Sequence, residues 1–440
     1  MKKIKLSMKN VPNHVIVAIS AWISKIIIAL IQVINVRVLL DYLDEDKYAV
    51  YVIAYSLIGW FNLAEFGVGI SLQNFISESQ ARKESYEKYI VAALQIVVVL
   101  FAATLLITIF ISSPIQNIIF RKFSYILEIQ SINITLVVGI ITLTSCFLSI
   151  VFKVYYALHK GYIANLIPAI SIVISMIIIV SINIYSQKQG NILFVLLVFT
   201  VPQLVLVLFS FIKVFKNYFS RLLEFNISVL KDLIVRAAKF HGTIMVSLAY
   251  VQTDYLVISQ TLSVNEIVEY NIFMRVFLFF SYAYMSFLAA FWPVSSEMYM
   301  NKQFKELKNK IKKHLAYVSL FMVLGTACIM IFSKFIIKTL APGQNIVPTI
   351  CFMLLIGIYI LAKAWQDTFA MFLQSINVLK IFWIYMPLQV IINLLLQYFL
   401  SKIYGVNGIV LGLIISTVCV SVWVLFMKVS KVLEEIGINE

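Results

Sequence analysis

Residues 11–40 read VPNHVIVAISAWISKIIIALIQVINVRVLL. About twenty apolar residues cross a bilayer as a helix, and this run is longer than that. Lys25 stands near its middle, with Gln32 and Asn35 further on. Positions seven apart return to nearly the same helix face, so Lys25 and Gln32 align and Asn35 lies beside them. A central lysine costs about 2.5–3.5 kcal/mol on insertion-derived scales, so it faces protein or a water-filled cavity. One reading is a lysine neutralised by a neighbouring helix to hold a bundle together. The other is a polar stripe lining a cavity, which Gln32 and Asn35 favour.

Working outward, hydrophobic residues make up 62% of the chain and charged ones 12%. That composition belongs to a polytopic membrane protein. The start, Met-Lys-Lys-Ile-Lys, resembles a signal peptide, but the apolar run after it is too long and has no small-residue cleavage site, so a retained first helix is expected. Cys146, Cys328, Cys351 and Cys419 lie in apolar runs without metal-type spacing and are expected to be small buried hydrophobes. The four histidines are scattered. No metal or haem site is predicted, and no P-loop is present.

Twelve transmembrane helices are predicted, at 13–40, 48–70, 90–112, 127–150, 162–184, 191–213, 240–262, 268–293, 314–333, 348–373, 379–400 and 406–427. Of the 35 Lys and Arg residues, 24 fall on the side of the N-terminus, seven on the opposite side and four inside the helices. By the positive-inside rule both termini are cytoplasmic, and an even number of helices agrees. The net charge of +15 is therefore a record of topology, and no nucleic-acid partner is expected.

Asp44 and Asp46 form a D-x-D in the turn after the first helix. The turn is short and on the side without nucleotide sugars, so it reads as a helix-capping turn. Helix 2 carries Asn62, Glu65 and Gly69 at three- and four-residue spacing, with Gly67 and Gly69 allowing close helix approach. Glu65 reads either as a proton or cation site or as the partner of a buried Lys or Arg. Residues 213–239 carry six basic residues interleaved with apolar ones, an amphipathic segment suited to membrane lipids of the anionic leaflet. This segment separates an N-lobe (1–213), a linker (214–239) and a C-lobe (240–440). Sliding the sequence by 219 lays 43–87 over 262–306; Ser77-Glu78 and Lys83 meet Ser296-Glu297 and Lys302. An offset of six helices keeps orientation, so the predicted fold is all-α, with two six-helix lobes related by a pseudo-two-fold along the membrane normal and a central cavity between them.

In the second lobe Ser247, Tyr250 and Asp254 share one stripe of helix 7, and Asn271, Arg275 and Tyr282 one stripe of helix 8. Lys363 and Asp367 lie four apart in helix 10 and can neutralise each other. Arg37 is near enough to the end of helix 1 to snorkel. A cavity lined by helices 1, 2, 7 and 8 is positively biased. Lysine and arginine there suit an oxyanion such as a diphosphate, and aromatics suit the faces of sugars.

The segments Ser24-Lys-Ile-Ile-Ile-Ala-Leu-Ile-Gln-Val-Ile-Asn-Val-Arg37, Leu39-Leu-Asp-Tyr-Leu43, Leu63-Ala-Glu-Phe-Gly67 and Ser71-Leu-Gln-Asn-Phe-Ile-Ser-Glu78, with Tyr51, resemble bacterial O-antigen flippases (Wzx type). These form the polysaccharide-transporter branch of the multidrug/oligosaccharidyl-lipid/polysaccharide exporter superfamily. The resemblance implies an inner-membrane transporter, not an enzyme. It would move an undecaprenyl-diphosphate-linked oligosaccharide from the cytoplasmic to the periplasmic leaflet by alternating access of the lobes. Polymerase and chain-length regulator are implied as neighbouring assembly proteins. Lys25, Arg37, Arg275 and Lys363 match the family's cavity cations; Asp254, Glu65 and Asp367 are candidates for coupling to protons or sodium, with no cofactor implied. Gln32, Asn35, Ser247, Tyr250, Asn271 and Tyr282 are the expected cavity lining. The alternative is a cation-coupled multidrug antiporter of the same superfamily. It would favour an acidic cavity, and the core of helix 1 has no acidic residue. A polymerase or ligase would need a substantial periplasmic loop, which the chain lacks.

Overall fold

The computed structural model describes residues 13–126, 131–185, 190–342, 346, 348–376, 378 and 380–437. All regular elements among them are helical. Nine helices of the described residues are long and apolar enough to cross a membrane. One of the nine holds two spans. Its parent helix Asn13–Phe61 has 49 residues. At 1.5 Å per residue it would reach about 74 Å, more than twice a hydrocarbon core of roughly 30 Å. Asp44, at φ 67° and ψ 176°, breaks it. Gln32 and Tyr55, nearly equidistant from Asp44 on either side, line one cavity, so the chain doubles back at the break. Ile227–Thr261 and Val264–Met300, of 35 and 37 residues, are also long enough to cross. With these two and the doubled first helix the nine become twelve spans.

Spans 1 and 2 flank Asp44, and span 2 continues past a break into Val68–Ala81. Span 3 is Glu87–Ile119, span 4 Ile134–Leu148 prolonged by Ile150–Ala157, span 5 Gly161–Tyr185 and span 6 Ile192–Phe215. Spans 7 to 11 are Ile227–Thr261, Val264–Met300, Phe304–Ile331, Ile350–Ser375 and Phe382–Tyr404. Span 12 begins as Val406–Ser416, passes through a π-helical Thr417–Val422 and ends in Trp423–Gly437. The Asp44 carboxylate accepts from the Lys47 amide at 3.1 Å, which is the capping role expected of that turn. Span 4 starts at Ile134, where the Asn133 side chain caps it by accepting from the Leu136 amide; the predicted start at 127 lies outside the described residues.

Span 2 departs from expectation. A short 3₁₀ turn, Asn62–Glu65, interrupts it, and Phe66 and Gly67 have positive φ before the α-helix resumes. A Cβ on Gly67 would run into the Ala237 carbonyl of span 7. The glycine therefore serves a break seated against another span, and not simply the approach of two straight helices. Gly408 and Gly412 of span 12 do serve close approach: added Cβ atoms would strike Leu400 and Gln397 of span 11.

The internal repeat is written in the backbone. Lys83 and Lys302, matched by the 219-residue shift, both sit in the left-handed region at φ 57° and 58°. Just after them, the Glu84 amide donates to the Ser79 carbonyl at 2.8 Å and the Gln303 amide to the Met298 carbonyl at 2.9 Å. The same turn thus ends the second span of each lobe.

Three apolar cores show how the lobes meet. One holds Ile76, Ala93, Phe147, Val154 and Phe215 of the N-lobe, with Leu233 and Ala237 of span 7. Another holds Leu307, Phe372, Leu373 and Leu425 of the C-lobe. The third is shared by both lobes, joining Leu43, Tyr51 and Phe199 to Leu262, Phe273 and Phe352. It lies toward the face of the Asp44 turn, where polar bonds also cross the seam. Arg37 donates to the Thr339 carbonyl at 2.8 Å, Gln260 to the Ile118 carbonyl at 2.8 Å, and Lys122 to the Leu262 carbonyl at 3.4 Å. The lobes are fastened on this face, where they share one core; on the other, span 7 packs into the N-lobe core and spans 8 to 12 have a core of their own.

One expectation about burial fails. Cys146 is buried, but Cys328, Cys351 and Cys419 are exposed. In a membrane protein the exposed surface meets hydrocarbon, so a small apolar side chain has no need of the interior. Phe110 and Phe209, each more than three-quarters exposed, follow the same logic.

Candidate functional site

A cavity of about 360 Å³ lies between the lobes, lined from spans 1, 2, 7, 8, 10 and 12. Span 1 contributes Gln32, span 2 Tyr55 and Ser56, span 7 Gln252, Asp254 and Tyr255, span 8 Tyr270, Asn271, Arg275 and Tyr282, span 10 Tyr359 and Lys363, and span 12 Leu413. Six of the residues singled out by sequence meet here: Gln32, Asp254, Asn271, Arg275, Tyr282 and Lys363.

Arg275 is partly buried and Nη1 donates to the Gln32 carbonyl at 2.7 Å, across the seam. Its surroundings are Tyr48, Tyr51, Tyr55 and Tyr255. Among the described residues no carboxylate lies within ion-pair distance of it. Guanidinium carries five N–H donors in a planar fork, so one bond to a helix carbonyl leaves most of the fork for another acceptor. A polar chain continues from the same wall: Tyr48 donates to Asn271 Oδ1 at 2.8 Å, and Asn271 Nδ2 donates to the Tyr255 hydroxyl at 2.8 Å.

Asp254 is buried and held from two sides. Tyr270 donates to Oδ2 at 2.8 Å, and Gln397 of span 11 donates to Oδ1 at 2.7 Å. A buried carboxylate without such donors would be expensive. Behind it, Gln389, Asn393 and Gln397 form a buried amide row at four-residue spacing along span 11. Ser416 of span 12 donates to Asn393 Oδ1 at 3.1 Å, and Gln366 of span 10 donates to Gln389 Oε1 at 3.5 Å.

The other candidates are dispersed. Asp367 pairs with Lys363 at 3.1 Å one turn away, without lining the cavity. Asn35 is buried close to the shared core, with no partner on Oδ1. Lys25 is on an exposed face of span 1 and does not line this cavity; its neighbour Ser24 donates to the Asn165 carbonyl of span 5 at 2.7 Å. Arg37 is at the fastened face, 3.5 Å from Asp41. Glu65 lies at the break of span 2, beside Lys153 of span 4 and accepting from the Gly69 amide. The side chains of Ser247 and Tyr250 lie outside the described residues.

The tyrosine cluster and the amide row escaped the sequence reading. Tyr48, Tyr51 and Tyr55 recur at three and four residues, as do the span 11 amides at four, and that period was the available signal.

In sequence the chain is 34% identical over 437 residues to a protein of Salmonella typhi named as an O-antigen transporter, covering 97% of this chain and 99% of that one. The chain belongs to the O-antigen transporter family. Residues 242–399 match the MatE family model. The fold is that of a multidrug resistance MATE family transporter of the MOP superfamily in an inward-facing conformation, with a TM-score of 0.72 at 14% identity over 95% of this chain and 99% of that one. It is equally that of the lipid II flippase MurJ in an inward closed conformation, at 0.72 and 17% identity over 97% and 90%. The O-antigen transporter family thus shares its two-lobed membrane fold with a multidrug resistance transporter and a lipid II flippase.

Proposed function

We propose that this protein is a flippase that moves a polyprenyl-diphosphate-linked O-antigen repeat unit from the cytoplasmic to the periplasmic leaflet of the inner membrane. The observation that carries the reading is Arg275, a cation without a carboxylate partner among the described residues, set among tyrosines in the cavity between the lobes. A guanidinium in a site of low dielectric favours a diphosphate, and tyrosine rings favour sugar faces. Lys363 is paired with Asp367 and Asp254 is engaged by two donors, so Arg275 is the lining charge that has no oppositely charged partner among the described residues. That balance supports an anionic cargo over a cationic drug. The name of the Salmonella typhi relative points the same way.

The lobes, 1–213 and 240–440 joined through 214–239, alternate access by opening the fastened face while the opposite one closes. The basic connections and both termini face the cytoplasm. In this reading Arg275 and Lys363 hold the headgroup, Arg37 and Lys25 meet it at either end of the path, and Asp254, with Glu65 and Asp367 as further candidates, exchanges a proton or sodium ion. Gln32, Asn271 and Tyr282, which line the cavity, offer hydrogen bonds to sugar hydroxyls. The chain acts without chemistry on its cargo; polymerisation falls to other assembly proteins.

The test is expression in a strain lacking its flippase but carrying the cognate glycan genes. Restored surface polysaccharide with unchanged drug tolerance is expected. Raised drug tolerance without restored polysaccharide would instead make the chain a drug antiporter.

A further inference from the structure

A second recess, distinct from the cavity between the lobes, lies where span 9 passes into span 10. The short helix Ser333–Leu340 between them is amphipathic and brings Lys334 and Lys338, one turn apart, to the wall of a cavity of about 890 Å³. The remaining wall is mainly apolar, with Met330 and Ile331 from the end of span 9 and Ile350 and Met353 from the start of span 10. This recess is larger than the cavity between the lobes.

Two lysines are out of place here. Only seven of the 35 basic residues fall on this side of the membrane, as the positive-inside rule demands, and two of the seven stand together on this helix. Neither is paired with a carboxylate among the described residues. An interfacial helix needs only polar residues on its wet face, and neutral ones would serve. Adjacent ammonium groups over an apolar slot instead match an amphiphile with an anionic head and a hydrocarbon tail. Side chains four apart on a helix are close enough for both to reach one phosphodiester.

We propose that this recess binds an anionic glycerophospholipid of the surrounding leaflet, its phosphate between Lys334 and Lys338 and an acyl chain along Met330, Ile331, Ile350 and Met353. The site is separate from the cargo cavity and does not depend on what the cargo is. Thr339, on the same helix, receives the Arg37 hydrogen bond, so the lipid seats the element to which span 1 is fastened.

Native mass spectrometry of the purified full chain, titrated in turn with phosphatidylglycerol, phosphatidylcholine and a short polyprenyl diphosphate, tests this. Wild type is expected to retain phosphatidylglycerol roughly tenfold better than phosphatidylcholine, and Lys334→Gln/Lys338→Gln to lose that preference. Lys334→Arg/Lys338→Arg should keep it, and each single glutamine variant should show part of the loss should the double variant fail to fold. Equal retention of the two phospholipids by wild type, or an undiminished preference in the glutamine variants, overturns the proposal. So does retention of the polyprenyl diphosphate in place of phosphatidylglycerol, which would make the recess a cargo station.

Discussion

Arg275 of span 8 donates through Nη1 to the carbonyl of Gln32 in span 1 at 2.7 Å, so a C-lobe cation is anchored on an N-lobe helix. A helical carbonyl has a second lone pair beyond its intrahelical bond, and the guanidinium takes it without breaking the helix. The bond orients the fork toward the tyrosines. It also makes the cation a reporter of lobe separation, because opening the seam must either break the bond or carry it along.

The first expectation concerns shape against charge at this position. Arg275→Lys keeps a positive charge but loses the planar fork and cannot both reach Gln32 and present a bidentate face. A charged hydrogen bond is worth about 1.5–3 kcal/mol, so cargo affinity should fall roughly ten- to hundredfold. Titrating a soluble diphosphate-sugar analogue against both proteins measures it.

Asp254 is the second test. Asp254→Asn keeps one oxygen and replaces the other with an NH₂ facing a donor. Gln397 can turn its amide to accept, and the Tyr270 hydroxyl can rotate. The variant should fold, with a stability loss of about 1–3 kcal/mol from one compromised buried bond. If Asp254 exchanges the coupling ion, the dependence of transport on the ion gradient should vanish in the same variant. Thermal unfolding in detergent and a gradient-jump assay in proteoliposomes read the two effects separately.

At the span 2 break, Gly67→Ala should be costly. The residue has φ 73°, and the new methyl would meet the Ala237 carbonyl. Left-handed strain and overpacking together suggest a loss of roughly 2–4 kcal/mol, seen as a lower unfolding temperature and reduced membrane yield. An unchanged unfolding temperature would mean that span 2 is not broken in the membrane.

In the Asp44 turn, burial and the neighbouring carboxylates Asp46 and Asp44 hold the Glu45 carboxyl above its ordinary range. A carboxyl raised by folding favours the protonated form. Its penalty is therefore absent below the ordinary value of 4.5, grows as pH rises through it, and is complete above the raised value. Glu45→Gln removes the penalty. The unfolding midpoint should rise slightly at pH 7, on the order of 1 °C, and stay unchanged at pH 4.

What could be read from the sequence follows from the cost of charge in lipid. Arg275, Lys363 and Asp254 were visible because ionisable groups are rare in apolar runs and must find an interior. The repeat was visible as Ser-Glu and Lys at matching positions, and the structure supplies its reason in the shared turn at Lys83 and Lys302. Neutral polar groups leave a fainter trace. Gln389, Asn393 and Gln397 are affordable in a membrane helix without a functional reason, so nothing forced attention to their spacing. The break at Asn62–Gly67 was hidden because a glycine pair in an apolar run equally signals tight packing. That Lys25 does not line the cavity of Arg275 was beyond reach, since a stripe on one helix does not say which neighbour it faces.

Reconstitution settles the central claim most directly. The protein is placed in liposomes with a fluorescent polyprenyl-diphosphate oligosaccharide, and the labelled lipid reaching the far leaflet is followed with a membrane-impermeant quencher. Wild type should move it, and Arg275→Ala, at equal incorporation and unfolding temperature, should lose most of that movement. Equal movement by both proteins would contradict the account and leave Arg275 a structural tie to Gln32.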